Sequence, residues 1–187
     1  AKDGKPPAAE ALKAAAAPKN AAFDLCGEGF GSDRDLNFDG IAKGFVVDRA
    51  AASVAKVQGV RLISFQIGGD TVVSTKSTFQ LVDPRQPSDN GTPLGAVVID
   101  KGALASSGGY ARGFDVAGVH HSHILDPRTG QPCDHVLGAS VLAPDAATAD
   151  ALATALCVLG AEGLPLLASY KAHGVVVTKD EIGRAHV

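Results

Sequence analysis

The chain has 187 residues, 45% of them hydrophobic and 20% charged, with a formal net charge of −3. That apolar content supports a packed core and excludes whole-chain disorder; without a basic surplus the chain lacks the cationic footprint of a non-specific nucleic-acid binder. No apolar run in the sequence approaches the ~20 residues that cross a bilayer, and the three scattered cysteines Cys26, Cys133 and Cys157 form neither a zinc motif nor a disulfide framework.

Taken in order, the Ala-rich stretch from Pro6 to Ala17 reads as a short surface helix, with Pro7 in its first turn. The segment Asn37 to Lys43 is turn-rich and leads into a helix expected from about Phe45 to Val57. From Arg61 to Leu142 the pattern becomes β, with branched and aromatic runs at Arg61–Ile67, Thr78–Val82 and Gly95–Ile99 bounded by Gly, Pro, Asp and Asn. A helix is expected over Asp145–Leu159, opened by Pro144 and Asp145 and closed by Gly160. Gly163–Lys171 suggests another, and Gly174–Thr178 reads as a closing strand. The class is α+β, mostly antiparallel sheet with flanking helices, in one unbroken domain.

The two ends read differently from the middle. The chain opens at Ala1 with neither Met nor a signal peptide, so targeting information is missing rather than shown absent. The last six residues, Ile182 to Val187, match one reading frame of a common sequencing-library adapter. The expectation is that the natural sequence leaves this one near Asp180 or Glu181, making 1–181 a partial domain and 182–187 foreign.

Four patches carry chemistry. In Asn37–Asp48, small residues let backbone approach a ligand, Lys43 supplies an ammonium, and a helix then starts; amides at a helix N-terminus plus a cation suit phosphate, although a plain turn with a solvated lysine has the same composition. Asp150 and Thr154 stand four residues apart on an apolar helix, so a carboxylate and a hydroxyl share one face. Hard oxygens at that spacing suit Mg²⁺; the competing reading is Thr154 bonding back to the Asp150 carbonyl. His121–Pro132 places His123, Asp126 and a Pro-Arg-Thr-Gly turn at a strand end, and Ser106–Arg112 is a small-residue turn followed by an aromatic and a cation.

The order of these segments says more than any one of them. Gly40-Ile41-Ala42-Lys43-Gly44, Ile67-Gly68-Gly69-Asp70, Ser107-Gly108-Gly109-Tyr110, His123-Ile124-Leu125-Asp126-Pro127-Arg128-Thr129-Gly130 and Ala149-Asp150-Ala151-Leu152-Ala153-Thr154 resemble, in that sequence, the ApbE family of FAD:protein FMN transferases. The resemblance implies a T-fold-like α+β domain and Mg²⁺-dependent transfer of FMN from FAD to a client threonine, with release of AMP. The clients it implies are redox-complex subunits at a membrane, on the periplasmic or extracytoplasmic side. Any membrane tether would lie in an N-terminal segment that this chain lacks.

Carried over by position, Asp150, Thr154 and the Gly40 carbonyl would hold Mg²⁺, and Lys43 would face the FAD phosphates. Asn37 stands where the family usually has a nucleotide-contacting Asp, Ile124 would line the FAD site, and His123 would activate the acceptor hydroxyl; Asp126 would be the alternative base or would simply orient the turn. Asn37 and Asp39 depart from the usual acid and glycine. The related readings are an FAD pyrophosphatase, with water as acceptor, and a flavin-binding module without chemistry.

Overall fold

The computed structural model describes residues 23–26, 29–32, 37–87, 92–110 and 112–185. The helix expected over Pro6–Ala17 lies outside the described residues. The elements run β1 Phe23–Cys26, β2 Gly29–Ser32, α1 Ala42–Val54, β3 Ser64–Ile67, β4 Asp70–Val73, β5 Ser77–Leu81, β6 Gly95–Ile99 and β7 Gly102–Gly108. They continue with β8 Gly113–Val116, β9 Val119–Ser122, β10 Gly138–Ala143, α2 Ala146–Leu159, a 3₁₀ helix Gly160–Tyr170, β11 His173–Val177 and β12 Ile182–Ala185.

Six strands form one sheet in the order β12-β11-β10-β7-β4-β3, with every neighbouring pair antiparallel. Side chains alternate across it, as strand geometry requires. One face presents Ala103, Ala105, Ala139, Val141 and Val176 to the helices, where they bury against Val47, Leu152 and Leu156. On the other face Val73 and Leu104 pack with Ile99, Phe79 and Leu81 of the β5–β6 hairpin. The small residues of β7 and β10 let α2 lie close to the sheet.

Three local devices fix the helices. The Asp145 carboxylate caps α2 by accepting from the Thr148 amide at 2.8 Å. Asp48, on α1, accepts from the next two amides of α2, Ala146 and Ala147, at 2.9 Å each, so an anion sits at the positive end of the α2 dipole. Gly44 lies at the crossing itself: a Cβ there would stand 2.2 Å from the Ala146 carbonyl oxygen, so only glycine allows the backbones to meet.

In place of the helix expected over Gly163–Lys171 stands a 3₁₀ helix starting at Gly160, whose φ of 66° breaks the α geometry, and it carries Pro165 inside. Against the sequence expectation that no run approaches membrane-crossing length, α2 and the 3₁₀ helix together make 146–170 long and apolar enough to cross a membrane, but α2 packs one face on the sheet and carries the fully buried Asp150. Residues 182–185 pair with β11 as the edge strand, and Gly183 abuts Leu164.

Candidate phosphate and cation site

Where the N-terminus of α1 meets the middle of α2, the sequence candidates converge. The turn before α1 is closed by the Ile41 and Ala42 amides donating to the Phe38 carbonyl at 3.0 and 2.9 Å. Asn37 is exposed at its mouth, and its side-chain oxygen accepts from the Asp39 amide at 2.7 Å. Asp39 itself is exposed.

Lys43, in the first turn of α1, reaches down rather than out. Its ammonium donates to both oxygens of Asp150, at 3.0 and 3.3 Å. The Gly44 amide adds a third hydrogen bond to that carboxylate, at 3.0 Å. Asp150 is fully buried, so these donors are what make its charge tolerable. Thr154 lies one turn further along α2, and its hydroxyl pairs with that of Ser107 at 3.1 Å instead of bonding back into its own helix. Gly40 presses onto it: an added Cβ would sit 3.1 Å from the Thr154 methyl and 3.4 Å from its hydroxyl oxygen. Gly40, Lys43, Asp150 and Thr154 therefore share one site.

A fourth element adds a residue that the sequence reading left without a role. The Gly68-Gly69 turn, with φ of 59° at Gly68, starts β4 with the fully buried Asp70. Its Oδ2 lies 3.1 Å from the Lys43 ammonium, within ion-pair reach but out of line for a hydrogen bond, so neither Asp70 oxygen has a hydrogen-bond partner. The signal was present in the sequence: a carboxylate opening an otherwise apolar run, directly after two glycines.

The charges interlock. Burial is the largest single influence on Lys43 and pulls its pKa down, but the hydrogen bonds to Asp150 and the nearby negative charges of Asp150 and Asp70 outweigh it and hold the ammonium above its ordinary value. Asp70 is pushed up by burial and then by the Asp150 charge, against the opposing pull of Lys43 and Arg112.

His123 is exposed, and its Nδ1 donates to the Arg112 carbonyl at 2.9 Å, which leaves Nε2 as the basic atom of the neutral ring. Arg112 thus touches His123 through its backbone while its charge acts on Asp70. The β8–β9 hairpin leading to His123 is pinned by Asp134, which accepts from His121 Nδ1 at 2.7 Å and the Ser122 amide at 2.8 Å. Ile124 is only 8% exposed; its side chain joins the core and its amide donates to the Ser122 hydroxyl, so it braces this segment from below. Asp126 grips Arg128 through both oxygens, at 2.9 and 2.7 Å, and that guanidinium holds the carboxyl below its usual range against the opposing effect of burial, with the Arg128 backbone amide adding to it. Asp126 thus orients the turn, the alternative to a base that its sequence context left open.

The residues suit a hard divalent cation. Among the described residues no three His, Cys, Asp or Glu side chains converge as a metal cluster, so such an ion relies on a carboxylate, a hydroxyl and backbone oxygen, the donor set Mg²⁺ accepts when phosphate and water complete its shell. The buried Asp70 oxygens without hydrogen bonds are the clearest sign that the polar cluster has capacity left for another cation. A cleft of about 310 Å³ lies nearby, between the sheet and the β5–β6 hairpin, lined by Gln66, Gly69, Phe79, Ser106 and Tyr110 among others. None of Lys43, Asp150, Thr154 or His123 lines it, so its size does not make it the seat of the chemistry.

The ApbE family model matches residues 1–177. A Rhodobacter capsulatus protein named FAD:protein FMN transferase is 40% identical over 137 residues, which is 72% of this chain and 26% of the relative. Its counterpart of that name from Haemophilus influenzae is 33% identical over 131 residues, 67% of this chain and 38% of the relative. The chain thus spans between about a quarter and two fifths of these relatives' length. The crystal structure of the ApbE protein from Thermotoga maritima superposes with a TM-score of 0.83 at 28% identity, covering 97% of this chain and 63% of that one. The match over nearly the whole chain, in sequence and in fold, places this chain in the ApbE family.

Proposed function

We propose that the protein transfers FMN from FAD to a threonine hydroxyl of a client redox subunit, releasing AMP, with Mg²⁺ at Asp150. One observation carries this reading: the Lys43 ammonium, the Asp150 carboxylate, the Thr154 hydroxyl and the Gly40 backbone meet where α1 opens onto α2. The names of the relatives support flavin as the cargo.

The Asp150 carboxylate, the Thr154 hydroxyl and the Gly40 carbonyl would hold the cation. Bound there, Mg²⁺ would supply neutralisation of charge on the FAD pyrophosphate. Lys43 adds a second positive charge for the same oxygens, delivered from a helix N-terminus. Asn37, at the mouth, offers both a donor and an acceptor to the nucleotide. His123 takes the proton of the acceptor hydroxyl at Nε2, its ring held by the Arg112 carbonyl. The oxygen then attacks the FMN phosphorus, the pyrophosphate bond breaks, and AMP leaves with the bridging oxygen. An extracytoplasmic setting, tethered through a segment outside these residues, belongs to the same proposal.

Chromatography of flavin and adenine products, with and without a threonine-bearing client fragment, tests it. Transfer predicts AMP that rises with client and little free FMN. Free FMN and AMP in equal amounts without client would instead establish hydrolysis, a reading that the solvent exposure of His123 keeps in play.

A further inference from the structure

The Lys43 ammonium and a cation would compete for the same Asp150 oxygens. Both oxygens of Asp150 are already engaged, by Lys43 and by the Gly44 amide. A divalent ion approaching Asp150 therefore meets a competing positive charge. Asp70 lies on the other side of that ammonium, 3.1 Å away, fully buried and without a hydrogen bond. The ion pair offsets part of the cost of burying that charge, but oxygens without an aligned donor leave it incompletely satisfied, and a function that needs an open acceptor accounts for it.

We infer that Asp70 is a positioning residue that receives Lys43 when a divalent cation takes Asp150. The site then has two arrangements. Without the cation, the ammonium spans both carboxylates and occupies the cation's place. With it, Lys43 swings to a full hydrogen bond on Asp70, stays charged and ordered, and faces the phosphates from a fixed anchor. The small motion fits the anatomy: Lys43 is a flexible side chain about a third exposed, whereas Asp70 and Asp150 are fully buried on a strand and a helix. The Gly44 amide remains on Asp150 in both arrangements and holds its carboxylate orientation.

This inference rests on the cation reading of the site, and one experiment separates the two. Crystals of the protein are soaked with Mn²⁺, located by its anomalous signal. Mn²⁺ on Asp150, with Lys43 Nζ hydrogen-bonded to Asp70 and withdrawn from Asp150, supports the handover. Mn²⁺ on Asp150 with Lys43 still bridging, or with Asp70 itself a ligand, overturns the handover alone. Absence of Mn²⁺ from Asp150 overturns the cation reading and the inference together.

Binding in solution gives a second readout that does not depend on turnover. Asp70→Asn should weaken Mn²⁺ binding roughly 10–100-fold, the usual scale for an outer partner of a metal ligand, because Lys43 loses its second acceptor. Lys43→Gln should tighten it by removing the competitor. Unchanged Mn²⁺ affinity in a folded Asp70→Asn protein, or weaker binding in Lys43→Gln, would refute the competition.

Discussion

Consider Gly44→Ala at the crossing of α1 and α2. By helix propensity alone the substitution stabilises, by about 1 kcal/mol in a helix interior. The structure argues for the opposite sign. The new Cβ would lie 2.2 Å from the Ala146 carbonyl oxygen, 2.6 Å from its carbon and 2.8 Å from the Ala147 Cα. All three are backbone atoms, and the two amides beside them are tied to Asp48 of α1, so the clash has no flexible side chain to absorb it. Overpacking of this kind costs about 1–3 kcal/mol and sometimes more. Separating the helices also stretches the Gly44 amide from Asp150, weakening a hydrogen bond to a buried charge worth about 1.5–3 kcal/mol. After the propensity gain, a net loss of about 2 kcal/mol remains, which for a chain of this size lowers Tm by about 4–8 °C. Calorimetry or a thermal melt reads this directly. A Tm equal to or above that of the unsubstituted protein would refute the close-contact account of the crossing.

Asp150→Ala should abolish Mg²⁺-dependent FAD consumption and destabilise the fold by about 1–3 kcal/mol; the figure falls below that of a fully buried pair because Lys43 is partly exposed and keeps Asp70. Urea melts check it, and Asp150→Asn, which retains an acceptor for Gly44, should lose less. Lys43→Ala should weaken FAD binding in the presence of Mg²⁺, followed by flavin fluorescence; unchanged affinity would remove Lys43 from the phosphate site. Burial pushes the Cys157 thiol up to about 12, so at pH 8 Cys133 and Cys157, both buried, should resist alkylation in the native protein and react in urea, as mass spectrometry of the peptides would show. The sign follows: burying Cys157 as a thiol adds no pH dependence below its unfolded pKa of about 8.5 and loses stability as pH rises above it.

The parts of the fold that were legible in sequence are those set by local chemistry. Asp145 before an apolar stretch and Gly160 after it delimit α2 almost to the residue. The strands β5 and β6 follow from branched residues between turn formers. β4, β7 and β10 were harder to see, because β7 and β10 are rich in Gly, Ala and Ser, residues of low strand preference chosen here for closeness to α2. The 3₁₀ helix departs from the α expectation because Gly160 and Pro165 break the pattern that Leu164 and Leu167 suggest.

The site divides the same way. Asp150 and Thr154 were visible because one helix carries both. Joining Lys43 to Asp150 across 107 positions, and bringing Asp70 beneath the same ammonium, needs the tertiary contact that Gly44 permits. Ile124, which the resemblance assigned to the lining of the FAD site, has its side chain in the core while the adjacent His123 is exposed.

In the function we propose, this site moves FMN onto a protein hydroxyl. Its most direct test is the intact mass of a client fragment bearing the acceptor threonine, after incubation with FAD, Mg²⁺ and the protein extended to the length of its relatives. The client should gain the mass of one FMN phosphoester, and the gain should be lost with EDTA and with Asp150→Ala. An unmodified client would contradict it, whether FAD is hydrolysed to FMN and AMP or remains bound and intact.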